Sequence, residues 1–204
     1  MATQHGLHFG DRVHARPRTR TASEARTATL SAVGIREAAI ALLRVGTGFV
    51  FLWAFLDKTF GLGYSTPSSR AWIHGGSPTK GYLSSVSVGP FQSWFNAWAG
   101  QAWADWLFMI GLAGIGAALV LGIGVRFAAV AGILLVAFMW FAAFPPARYT
   151  STGAATGSTN PFVDEHVMDA LALLAVGVFG AANRFGLGAL WAKLPFVKQH
   201  RVLL

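Results

Sequence analysis

The sequence predicts an all-α integral membrane protein, a four-transmembrane-helix bundle with an interfacial helix in its first outer loop. Three observations predict it. The 204 residues are 54% hydrophobic and only 12% charged, against about 25% charged in an average soluble chain. Four stretches approach the roughly 20 mainly apolar residues that cross about 30 Å of hydrocarbon. The basic residues cluster at the ends of those stretches, mostly on one side of the predicted bundle.

Residues 1–36 are polar and carry Arg12, Arg16, Arg18, Arg20 and Arg26 without an apolar run between them. They do not read as a signal peptide. A disordered cytoplasmic arm is expected, attracted at most to anionic lipid. Residues 37–190 form the membrane body, and 191–204 a short basic cytoplasmic tail. The predicted spans are 37–57, 103–124, 127–144 and 162–182. A tight hairpin holding Arg126 joins the second and third. Pro145-Pro146 stops the third, because proline cannot continue the hydrogen-bond ladder. Asn160-Pro161 is expected to cap and start the fourth.

The loop between the first two spans is too long for a passive connector. In it Phe91, Trp94, Phe95 and Trp98 follow helical spacing and share one face. This predicts the interfacial helix, anchored by its Trp rings. A lid over a cavity is compatible with that placement. Small residues recur within the spans, at Gly46, Gly48, Gly111, Gly114, Gly116, Ala128, Gly132, Gly177 and Gly180. In lipid they permit close helix packing.

The net charge is +8, yet its placement fits membrane orientation, so the lipid bilayer and not nucleic acid is the expected partner. One side gathers the arm, Arg36, Arg126, Arg184, Lys193, Lys198 and Arg201. The other has Lys58, Arg70, Lys80 and Arg148. The excess of Lys and Arg inside predicts a multi-pass cell-membrane protein with both termini cytoplasmic.

The chain has no cysteine. This excludes disulfides, dithiol redox chemistry, Cys-ligated iron–sulfur clusters and c-type haem attachment. A b-type haem is not expected, because His166 is the only histidine in any predicted span. A metal is not expected either, since Asp164, His166 and Asp169 match no known ligand spacing.

Ionisable groups at membrane depth carry a functional hypothesis. The candidates are Arg44, Asp57, Lys58, Asp105, Asp164, Glu165, His166 and Asp169. Asp164 and Glu165 also suit the first turn of a helix, where negative charge complements the dipole. Asp169 lies almost two turns farther in, and His166 and Asp169 share a face at i, i+3. A His–carboxylate pair can relay protons at a quinone or small-anion site. Lys58 is the expected partner of Asp169. Arg44 lies about 10 Å deeper than Asp169 by helical rise, and either meets a ligand or snorkels to the inner headgroups.

Three stretches carry a family resemblance: RVGTGFVFLWAFLDKTFGLGY at 44–64, AWIHGGSPTKGYL at 71–83 and NPFVDEHVMDALALL at 160–174. Their order and content resemble the DoxX/DoxD-like membrane family, over about residues 36–190. The resemblance implies a subunit of a thiosulfate:quinone oxidoreductase, with electrons passing from thiosulfate to the quinone pool. It implies quinone as substrate or cofactor, and a DoxA-like or other redox subunit as partner. His166, Asp169 and Lys58 become catalytic candidates. Arg44, Asp57, Arg70 and Asp164 become substrate-binding candidates, and Trp53, Phe55 and Trp72 become quinone-binding candidates. Homo-oligomerisation is a further expectation. Two other readings stand beside this one: a non-enzymatic partner or assembly subunit of a redox, respiratory or transport complex, and a small-molecule or lipid carrier.

Overall fold

A computed structural model describes residues 22–179 and 185–200, with side chains from Val33 onward. The chain divides into two units, Met1–Gly34 and Ile35–Leu204. All packing described below lies within the second. Among the described residues every regular element is helical, and the extended backbone is limited to one isolated antiparallel bridge between Tyr149 and Ala155.

Helix α1 spans Ala22–Phe60. It therefore starts inside the stretch expected to be an irregular arm, whose residues 1–21 lie outside the described residues. The reason is local: 22–33 contains four alanines and neither glycine nor proline, so nothing interrupts helix propagation. The loop after α1 folds into two 3-10 turns, Ser68–Arg70 and Trp72–His74, then two short helices, α2 (Lys80–Ser84) and α3 (Gln92–Trp98). Helices α4 (Ala102–Leu121) and α5 (Val125–Ala143) form a hairpin. Gly122 turns it at φ +75°, and the Ile123 amide donates back to the Ala118 carbonyl at 3.0 Å, which closes a Schellman motif. Helix α5 stops one residue short of the expected 144, just before Pro145-Pro146.

Helix α6 spans Glu165–Phe179. It begins later than the expected 162. Asp164 serves as its cap, with Oδ1 accepting from the Val167 amide at 3.2 Å. Asn160, the expected cap, instead closes a turn upstream, where its Oδ1 accepts from the Phe162 and Val163 amides at 2.9 Å each. Residues 180–182 of the expected fourth span lie outside the described residues. The tail holds two short helices, α7 (Gly188–Trp191) and α8 (Pro195–Gln199). The Leu187 amide donates to the Leu121 carbonyl at 2.8 Å, which ties this tail to the end of α4.

Among the described residues three helices are long and apolar enough to cross a membrane: Val33–Phe60 within α1, α4 and α5. Their outward faces agree with a bilayer as solvent. On α5, Phe127, Val130 and Leu134 recur at helical spacing and are each more than half exposed, as are Leu171, Leu174 and Val178 on α6. Such stripes are unfavourable in water and ordinary against lipid.

Glycines set how closely the helices meet. A Cβ on Gly116 would sit 2.6 Å from the Leu52 amide nitrogen, and one on Gly48 would sit 2.7 Å from Leu119 Cβ, so α1 and α4 touch almost backbone to backbone. In the same way, a Cβ on Gly132 would come within 2.9 Å of Leu173, and one on Gly177 within 3.0 Å of Ala129, joining α5 to α6. Gly46 and Gly114 face open space. The main core packs beside these contacts, around Phe51, Met109, Ile115, Leu119, Val136 and Leu173.

Candidate functional site

Past the glycine contacts, toward the N-terminal end of α4, the helices line a half-open cavity of about 620 Å3. Helix α1 contributes Val50, Phe51, Ala54 and Lys58. Val50, Ala54 and Lys58 are four apart, so they share one helix face and line a depth of about 12 Å. Helix α4 supplies Ala104, Leu107, Phe108 and Leu112, and α5 supplies Leu135, Val136, Phe138 and Met139. Tyr82 of α2 with Phe95 and Trp98 of α3 close it from the loop side. The sequence places Phe91, Trp94, Phe95 and Trp98 on one face. Phe95 is buried and Phe91 packs edge-on against Phe141 of α5, whereas Trp94 stays largely exposed.

Helix α6 brings the polar groups: Glu165, His166 and Asp169 all line the cavity. The three residues expected to be catalytic, His166, Asp169 and Lys58, thus meet at one place. Their pairing differs from the expected one. His166 is only 8% exposed, and its Nδ1 lies 2.7 Å from Asp164 Oδ2. Asp164, and not Asp169, is its partner, because the residue before the helix folds back over the first turn. Nδ1–H donates to that carboxylate, which leaves Nε2 facing away from Asp164. Asp164 is itself held by capping α6, which positions the imidazole. No ion pair joins Lys58 to Asp169 among the described residues; Lys58 Nζ instead lies 3.4 Å from Ser65 Oγ. Tyr82 donates to the Met139 carbonyl at 3.2 Å. Burial, and then the negative charges of Asp164 and Glu165, push its hydroxyl up to about 12.

The remaining candidates lie elsewhere. Asp57, 1% exposed, accepts from the Tyr64 amide at 3.1 Å, the Ser65 amide at 3.0 Å and Ser65 Oγ at 2.7 Å. It pins the loop after α1 and does not line the cavity. Asp105 does the same for the next loop segment: its Oδ1 accepts from Ser77 Oγ at 2.9 Å, the Thr79 amide at 3.0 Å and Thr79 Oγ1 at 2.6 Å. Arg70 is exposed on its 3-10 turn. Arg44 is 2% exposed and sits at the opposite end of α4, where it donates to the Phe185 carbonyl and packs on Gly122 and Gly186. It therefore neither snorkels nor reaches the cavity.

None of the expected quinone-ring contacts lines this cavity. Trp53 packs between Phe49 and Tyr64 at 5.7 and 5.1 Å, Trp72 meets Trp106 edge-on at 4.7 Å, and Phe55 packs against the main core. The cause is helical phase: each residue turns the chain by about 100°, so the neighbours of Ala54 point away from its face. Of the aromatic groups that do line it, only Phe51 comes from α1; Tyr82, Phe95, Trp98, Trp103, Phe108 and Phe138 come from later elements. Only for α1 was a usable signal present, since stepping back from Lys58 in fours reaches Ala54 and Val50.

Among the described residues no group of three or more His, Asp or Glu side chains is arranged to hold a metal ion. In comparisons with family models, with curated proteins and with solved structures, no match was found.

Proposed function

We propose that this protein is a cell-membrane subunit that binds a quinone in the cavity and takes part in its reduction. One observation carries the reading: an apolar, aromatic-walled space large enough for a ring and the start of its tail, with His166, Asp169 and Lys58 at its polar end. Such a combination of apolar walls and few convergent polar groups suits a small-molecule site. Reducing a quinone to a quinol takes two electrons and two protons. Lys58 hydrogen-bonds one ring oxygen and gives it one proton, regained from water. His166, protonated at Nε2 through Asp169, gives the second proton to the other oxygen, and Asp164 holds the imidazole through Nδ1. The chain has no cysteine, so the electrons come from a donor or from a partner subunit. The resemblance in the first, outer-loop and last-span motifs supports thiosulfate as that donor, two ions joining as tetrathionate for each quinone reduced, with a DoxA-like subunit assisting.

In this reading α6 belongs to a fourth crossing, α3 lies in the outer membrane interface, and both termini are cytoplasmic. The placement of Lys and Arg supports that orientation.

The test uses purified protein with a short-chain quinone analogue, alone and with the products of neighbouring genes. Binding of the analogue and thiosulfate-dependent quinol formation are expected. His166→Gln and Asp169→Asn each lower turnover by about 100-fold. Absence of quinone binding overturns the proposal. Binding without turnover under any donor favours a non-enzymatic partner or carrier.

A further inference from the structure

We infer that the cavity selects its occupants by charge and holds lipophilic cations, as a ligand class separate from quinone. Glu165 and Asp169 both line it, and Lys58 is the one lysine or arginine in the lining, beside His166. Behind them stands Asp164, hydrogen-bonded to His166. Carboxylates outnumber the lysine along the lining, with Asp169 half-buried and Glu165 exposed at the pocket's open side, and the half-buried carboxylate is the less screened of the two.

The walls favour the same class. Trp98 and Trp103 both line the space and meet at 5.5 Å in an edge-to-face pair. Phe95, Phe108 and Phe138 add further rings. Aromatic faces attract cations and repel anions through their quadrupole. A volume of about 620 Å3 admits a drug-sized body. An organic cation with apolar substituents satisfies both parts: its body fills the apolar depth and its charge meets Glu165 and Asp169. An anion of equal size meets carboxylates at the polar end and π faces along the wall. It follows that a small anionic electron donor does not enter this space, and that any oxidation of thiosulfate occurs outside it.

Tetraphenylphosphonium and tetraphenylborate are nearly the same shape with opposite charge. Equilibrium dialysis of each against the full chain in nanodiscs of neutral lipid, corrected with empty discs, measures the selection. Tetraphenylphosphonium is expected to bind saturably, and tetraphenylborate at least about tenfold more weakly. Glu165→Gln with Asp169→Asn lowers the cation's affinity by about tenfold or more, and Lys58→Met raises it severalfold. Equal binding of the two probes overturns the inference. So does a double variant with wild-type melting and unchanged affinity; should that variant fail to fold, an affinity unmoved by Lys58→Met overturns it instead. A quinone analogue in the same discs separates the two ideas: cation binding without quinone binding removes only the quinone reading, and the reverse removes only this one.

Discussion

At the scale of single residues, two buried carboxylates do structural work that their position in the sequence does not reveal. Asp105 accepts three hydrogen bonds from Ser77 and Thr79, and Asp57 accepts three from Tyr64 and Ser65. Each pins a stretch of the loop between α1 and α4. Removing such an acceptor leaves buried donors unpaired, so Asp105→Ala is expected to cost about 3 kcal/mol, read as a lower melting temperature in detergent. Tyr82 sets a pH limit. Its hydroxyl ordinarily titrates near pH 10 and here is pushed up to about 12. Because the folded value lies above the unfolded one, the stabilisation is fully present below pH 10 and is lost as pH rises toward 12. Melting temperature should therefore fall between those values, and Tyr82→Phe should flatten the fall. A profile identical in both proteins would show that Tyr82 does not cause it.

At the scale of elements, helix contact depends on which glycines face a neighbour. Gly116 stands against the α1 backbone at Leu52, whereas Gly114, two residues earlier on the same helix, faces open space. Gly116→Ala must push α1 and α4 apart and should destabilise by about 1–3 kcal/mol. Gly114→Ala should be neutral or stabilising by up to about 1 kcal/mol, since alanine is the better helix former. Denaturation of the two variants side by side tests the assignment. The start of α6 shows the same principle from the other direction. Both Asn160 and Asp164 can cap a helix by residue type. Asp164 does so while also binding His166, so one side chain both starts the helix and orients the imidazole.

At the scale of the whole molecule, glycine contacts draw the helices together on one side, and on the other they line a half-open cavity roofed by α2 and α3. The charge asymmetry predicts which end faces outward. The absence of native cysteines makes this directly measurable. A cysteine replacing exposed Lys80 should react with a membrane-impermeant maleimide added to intact cells, and one replacing exposed Lys193 only after lysis. The reverse pattern would invert the proposed orientation.

The sequence by itself determined the helical class, three of the four expected spans as long apolar helices, and the end of α5 at Pro145-Pro146. It also singled out Lys58, His166 and Asp169. Those features are local: apolar length, backbone-breaking residues, and ionisable groups in apolar surroundings announce themselves within one turn or one span. Only the tertiary structure decided the rest. It brought Lys58 to the same cavity as His166, gave His166 to Asp164, and turned Trp53 and Phe55 away. It buried Arg44 at the far end and assigned Asp57 and Asp105 to the loops. Each of these depends on the rotation of one helix relative to another, or on the path of a loop. Rotation and path follow from packing among residues far apart in the chain, here above all from which glycines allow two backbones to touch.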